Sequence, residues 1–397
     1  VRTPETARPF LADLSGIRAG CRFCFSDTYF CDCFNMTTMF NRVLIPLDLP
    51  HPAALPSDIC EFRLSGATMG TTWSTHVLAP AGMSRQMLEL GIQARLALVI
   101  NQMSTWEPDS NLSRFNNAPA GSWHILPEAF FTVLDAALGM ASDSDGAFDP
   151  TIGALVDLWG FGPRQVALQD FPATQNGNAG TGTGADAKAA VNADTHNAAC
   201  AMADARSRCG WRRLKLDRKS RAVLQPGGAY LDFSGIAKGY AVDLLARFLT
   251  DAGCPGYLVE IGGELSGFGM KPDGQPWWVA LERPPSEQSA QPIVTALHGL
   301  AVATSGDYRR YVDLDGIRYA HTIDPRSGAP LHNNLASVTV LHRQCMVADA
   351  LATVLMVLGT EHGMRFAGER DIAALFIAHS EDGFVENMSP AFAAMLS

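Results

Sequence analysis

Tyr257-Leu258-Val259-Glu260-Ile261-Gly262-Gly263 is a run of β-type residues that stops at a glycine pair, and it reads as a short buried strand. Toward the C-terminus similar runs recur at 277–282, 300–304, 311–313, 317–322 and 337–341, before apolar residues take up helical spacing over 347–358. Toward the N-terminus a helical pattern covers about 236–252, preceded by short strands at 213–216 and 222–224 and by a helix ending near Cys209. Further back, 62–77 is β-rich around a turn at 66–72. Residues 85–103 place Met87, Leu88, Leu90, Ile92, Leu96, Leu98 and Val99 at helical spacing, and 127–140 holds a second helix. Strands in runs, broken by single helices without βαβ alternation, predict an α+β fold with mixed or antiparallel sheets and packed helices.

The 397 residues are 47% apolar and 18% charged, enough chain for one large or two medium domains with a substantial core, and read as a soluble globular protein. A net charge of −10 argues against a nucleic acid held by phosphate neutralisation. A phosphate-bearing ligand must then be held locally, by backbone N–H groups, a metal or a single lysine. Cys21, Cys24, Cys31 and Cys33 crowd the start while the other five of the nine cysteines are scattered, which is no disulfide framework. Residues 1–60, rich in Pro, Cys and aromatics without period, read as an N-terminal extension. They begin at Val1, hold Met36 and Met39 as alternative starts, and show no clear signal peptide or lipobox. No run of about twenty apolar residues marks a spanning helix. The organised part is expected from 61 to 397, with a Gly-, Ala- and Asn-rich low-complexity insertion at about 164–198.

Three constellations carry chemistry. In Ala348-Asp349-Ala350-Leu351-Ala352-Thr353 the i and i+4 positions share a helix face, so the Asp349 carboxylate and Thr353 hydroxyl lie side by side as hard oxygen donors suited to Mg2+. The plainer alternative is an acidic residue meeting the helix dipole and a threonine bonding back to a carbonyl. Asp232-Phe233-Ser234-Gly235-Ile236-Ala237-Lys238-Gly239-Tyr240 runs from a strand through a glycine turn into a helix, exposing backbone groups and supplying a lysine for a phosphate. Thr304-Ser305-Gly306-Asp307-Tyr308 could offer hydroxyl and N–H donors to a pyrophosphate, and the later His321-Thr322-Ile323-Asp324-Pro325 carries a candidate proton acceptor, His321. Trp106, at the end of a helix, could stack on a flat heterocycle or simply pack.

In this order along one chain these stretches resemble the FAD:protein FMN transferase family, also called the ApbE family, over roughly residues 61–390. The resemblance also draws on Met69-Gly70-Thr71, Gly146-Ala147-Phe148-Asp149, Leu158-Trp159-Gly160-Phe161-Gly162 and Ile261-Gly262-Gly263-Glu264. It implies an ApbE-like, T-fold-like architecture and contacts to FAD at Met69, Trp106, Ala147, Phe148, Asp149, Asp232, Lys238 and Ile323, beside the Ser305 and Gly306 donors. It further implies Mg2+ held by Asp349, Thr353 and the Gly235 carbonyl. Some members carry an aspartate where this chain has Ala352, so the metal would have one carboxylate fewer here and complete its shell with water or a ligand phosphate. The implied activity is Mg2+-dependent transfer of FMN from FAD to a Thr or Ser hydroxyl of an acceptor flavoprotein, with release of AMP and with His321 as the base. Family acceptors include membrane redox subunits, and members often work outside the inner membrane behind a lipid anchor; this sequence leaves the location open. Two rivals use the same pocket: an FAD pyrophosphatase giving FMN and AMP, and a non-catalytic flavin-binding protein.

Overall fold

The computed structural model describes residues 42–46, 53–164, 199–284, 291–308, 311–314, 317–381 and 383–396. The early cysteine cluster, Met36, Met39 and residues 165–198 of the low-complexity stretch lie outside the described residues.

The centre is an eight-stranded sheet. From one edge its strands are Gly383–Met388, Ala373–Ser380, Leu335–His342, Leu300–Gly306, Glu264–Phe268, Gly256–Ile261, Thr71–Pro80 and Ile59–Thr68. Every neighbouring pair is antiparallel. The opening run of the sequence, Gly256–Ile261, is therefore an interior strand, and all six of its residues are buried.

Period-two alternation splits the apolar side chains of this sheet into two cores. On one face Val77, Val259, Ala303, Val340 and Phe376 meet the helices Arg85–Met103, Ala237–Asp251 and Cys345–Glu369. On the other, Leu78, Leu258, Val302, Leu341 and Ile377 meet Trp277, Val279 and the C-terminal Phe392. The strands Trp277–Ala280 and Val294–Leu297 form the cover of that second face, joined by Val43–Leu44 in parallel pairing with Val294 and Thr295. Leu44 is fully buried, so the stretch 42–46 is part of this layer, and its burial is worth about 2 kcal/mol.

Local chemistry fixes the connections. Met69 and Gly70 link two paired strands with φ of 46° and 72°, the double positive φ of a type I′ hairpin turn. The final long helix is longer than its apolar spacing predicts, running from Cys345 to Glu369 with a break at Gly359, where φ is 74°. Asn333 Nδ2 donates to the Met356 carbonyl at 2.8 Å, satisfying a group near that break. Against the expectation that no run marks a spanning helix, this one could cross a bilayer by length and composition; 61% of its most apolar window is buried inside the fold. Its apolarity is that of a central core helix.

Candidate active site

The stretch 232–240 forms the predicted turn into a helix, which begins at Ala237. Asp232 N–H donates to the Pro150 carbonyl at 2.8 Å, tying this turn to the 146–150 segment, and Asp232 Oδ1 accepts the Ser234 N–H at 2.7 Å. Burial pushes the Asp232 carboxyl above the usual aspartate range, against the pull of the Ser234 bond. Gly235 then passes so close to the long helix that a Cβ there would sit 2.9 Å from Thr353 Oγ1 and 3.3 Å from the Phe148 ring. Only a glycine leaves its backbone bare at that spot.

Asp349 is 4% exposed, and its Oδ2 accepts the Gly239 N–H at 2.9 Å. Thr353 Oγ1 bonds back to the Asp349 carbonyl at 3.3 Å and lies 3.5 Å from Ser305 Oγ. The back-bond and the donor arrangement thus coexist: the hydroxyl faces both Gly235 and Ser305, which ends the strand Leu300–Gly306. Among the described residues no three His, Cys, Asp or Glu side chains converge as a metal site. A cation at this point has to be held by one carboxylate with hydroxyl and carbonyl oxygens, a donor set suited to a hard ion. Ala352 is fully buried in the main apolar core and supplies no further donor.

Lys238 Nζ is paired with Glu264, whose side chain is 2% exposed and lies just past the Gly262-Gly263 turn. Asp149 commits both oxygens to its own neighbourhood. Its Oδ1 accepts Thr151 N–H at 2.8 Å and Thr151 Oγ1–H at 2.7 Å, and its Oδ2 accepts Trp211 N–H at 3.1 Å. Burial raises its pKa in spite of those bonds. Ala147 is buried in the core, so this turn fixes Phe148 against Gly235.

Ile323 is buried with Leu155, Leu158 and Tyr230, and it pairs with Pro330. The His321 ring lies 6.3 Å from the Phe161 ring, so the 321–323 segment is built onto the helix Gly153–Leu158 and the turn after it. Met69 and Trp106 sit on separate loops. Trp106 is 63% exposed, yet its loop is ordered: Ser104 Oγ accepts the N–H groups of Trp106 and Glu107, and the Ser104 carbonyl accepts Ser110 Oγ–H at 2.6 Å.

The structure thus gathers Phe148, Asp232, Gly235, Lys238, Ser305, Asp349 and Thr353 around one meeting of a turn, two helices and a strand end. His321, Ile323, Met69 and Trp106 lie on other segments, outside this cluster. Two residues the motif reading leaves without a role also belong here. Glu264 pairs with Lys238, and Asp243 accepts Cys345 N–H at 2.8 Å and Met346 N–H at 2.9 Å. The available signal for Asp243 is its spacing, four residues after Gly239 on one helix face.

Oxygen donors gathered at a glycine turn are the kind of arrangement on which backbone N–H groups and a hard cation can together hold a phosphate-bearing ligand. The chain belongs to the ApbE family, whose model matches residues 69–376. An FAD:protein FMN transferase of Vibrio cholerae serotype O1 is 38% identical over 338 residues, 85% of this chain and 93% of that relative. Another, from Salmonella typhimurium strain LT2, is 35% identical, with 84% and 89% covered. Among solved structures, the apo form of Pseudomonas stutzeri flavinyl transferase ApbE matches with a TM-score of 0.71 at 36% identity, covering 85% of this chain and 97% of that one.

Proposed function

We infer that this chain is an FAD:protein FMN transferase. It moves the FMN part of FAD onto a Thr or Ser hydroxyl of an acceptor flavoprotein through a phosphoester bond, and AMP leaves. The observation that carries the metal-supported form of the reaction is the convergence of the Gly235 backbone on Thr353 Oγ1, one helical turn from Asp349. The bare Gly235 cradle and the all-oxygen donors fit Mg2+, which would be held by Asp349, Thr353 and the Gly235 carbonyl. When bound, the ion neutralises charge on the pyrophosphate and on the departing AMP.

The chain's own residues do the rest. Lys238, held by Glu264, places a positive charge beside the same turn for the phosphates. Ser305 and Gly306 add a hydroxyl and an N–H donor at the strand end. Trp106 offers an exposed ring on a pre-ordered loop for the flavin or adenine plane, and Met69, Ala147, Phe148, Asp149, Asp232 and Ile323 shape the remaining FAD contacts. His321 takes the proton of the acceptor hydroxyl as its oxygen bonds to the FMN-side phosphorus and the pyrophosphate P–O bond breaks. The family resemblance makes a membrane redox subunit with a short Ser/Thr-containing motif the proposed acceptor class.

The test is incubation of the purified chain with FAD, Mg2+ and motif-bearing acceptor domains, read as covalent flavin by in-gel fluorescence. A fluorescent acceptor whose labelling needs Mg2+ and disappears in Asp349→Ala is the expected result. Stoichiometric AMP release without an acceptor, with no labelled acceptor, would instead identify a pyrophosphatase. Intact FAD under all conditions would identify a binding protein.

A further inference from the structure

Asp243 is a half-buried carboxylate outside every motif discussed so far, and both of its oxygens are spent on another helix. Oδ1 accepts the Cys345 N–H at 2.8 Å and Oδ2 the Met346 N–H at 2.9 Å, the first two N–H groups of the helix that carries Asp349 and Thr353. That helix has no side-chain cap of its own, since its N-cap residue Gln344 makes no capping bond. Its orphan donors are satisfied from the neighbouring helix Ala237–Asp251 instead.

The exchange runs in both directions. Four residues before Asp243, the Gly239 N–H donates to Asp349 Oδ2 at 2.9 Å, so each helix gives the other a carboxylate for its backbone donors. The contact is close: a Cβ at Gly239 would lie 2.4 Å from the Cys345 carbonyl oxygen and 2.8 Å from Asp349 Cβ. Two bonds at Cys345 and Met346 and one at Asp349 fix both the height and the rotation of the metal-donor helix. Rotation matters, because turning a helix of about 5 Å radius by about 20° moves a surface side-chain atom by roughly 1.7 Å. Metal–oxygen distances tolerate only about 0.2 Å.

We propose that Asp243 is a positioning residue for the metal site: by capping the helix that begins at Cys345, it holds Asp349 and Thr353 in phase with the Gly235 backbone. The inference rests on the metal reading given above. Its chemistry is capping and alignment, with no contact to FAD or to the ion. Burial pushes this carboxyl above the usual aspartate range, and nearby Asp349 adds to the rise, against the pull of the Met346 and Cys345 N–H groups and of Arg247.

The test is a titration of Mn2+ into the purified full chain with FAD and no acceptor, reading free Mn2+ by electron paramagnetic resonance, with Tm measured in parallel. Asp243→Ala is expected to raise the Kd for Mn2+ by about 10- to 100-fold, the range seen when the support of a metal ligand is removed. Asp243→Asn keeps one acceptor oxygen and is expected to fall between, roughly threefold to tenfold weaker than wild type. It carries the test if the alanine variant does not fold. Wild-type Mn2+ affinity in folded Asp243→Ala or in Asp243→Asn, even with a lowered Tm, overturns the proposal and leaves Asp243 a purely structural cap. Asp349→Ala separates the two levels. If wild type binds Mn2+ and Asp349→Ala does not, the metal reading stands whatever Asp243 does; if wild type binds none, both fall.

Discussion

The two faces of the central sheet are built by the same alternation of side chains, but the Glu386 cluster on one and the aspartates beyond the other hold their carboxyls in different ways. On the face covered by strands and by the C-terminal helix, Glu386 is clasped by Arg42 and Arg283. Burial pushes its pKa up, but the two guanidinium groups outweigh that and hold it below the usual glutamate range. On the helical side, where Glu264 is itself paired with Lys238, the aspartates outside the sheet, Asp149, Asp157 and Asp232, are buried with mostly backbone and hydroxyl donors around them, and burial drives each pKa up. The Glu386 cluster spends charge on cohesion, whereas these aspartates keep carboxyls whose ionisation burial opposes.

The largest effect that sharpens this contrast is at Asp349. Asp349→Ala removes the sole carboxylate at the proposed ion and is expected to lower the rate of covalent flavin transfer at least about 100-fold, measured as acceptor fluorescence over time. Glu386→Ala should do the reverse. It strands two half-buried arginines and is expected to cost about 2 kcal/mol in denaturant unfolding, with the transfer rate per folded molecule unchanged. A transfer defect in that variant would break the division between the two faces. Trp106→Ala, at a 63% exposed ring, should leave Tm within a degree while raising KM for FAD about threefold to tenfold, the scale of one lost aromatic stacking contact.

The smallest expected effect is on pH. For Asp149 and Asp157 the folded pKa lies above the ordinary 3.8, so the native state binds more protons than the unfolded chain above that value, and stability falls as pH rises through the window. For Glu386 the folded pKa is depressed, so its contribution is present above the ordinary 4.5 and lost as pH falls toward its folded value. Scanning calorimetry is therefore expected to show Tm rising as pH falls through the raised folded pKa values of the aspartates, then falling as the Glu386 cluster protonates. In Glu386→Ala the acid-side fall should shrink while the first rise remains.

The strands and helices with strong periodicity were legible in the sequence, and Arg85–Met103 begins and ends where its apolar spacing does. Short elements were not. The helix Asn111–Asn116 and the strand Trp123–Ile125 span too few residues for a period to show, and the edge hairpin Ala373–Ser380 with Gly383–Met388 is defined by its pairing to Leu335–His342. The site shows the same boundary. Asp349 and Thr353 stand one turn apart on a single helix, so their shared face follows from helix geometry alone. Phe148 and Ser305 reach Gly235 and Thr353 only through packing.

What the sequence determined by itself is local: the helix faces, the glycine turn at 235, the interior strand at 257–261 and the oxygen chemistry of the donors. Tertiary structure alone decided which donors meet, because contacts between residues a hundred positions apart, such as Asp243 with Cys345 and Gly239 with Asp349, depend on how two helices cross. It also decided which face of the sheet carries the site. Alternation separates two sets of side chains but cannot say which set the helices will cover; that choice shows only in the packing of Ala237–Asp251 and Cys345–Glu369 against Val259, Ala303 and Val340.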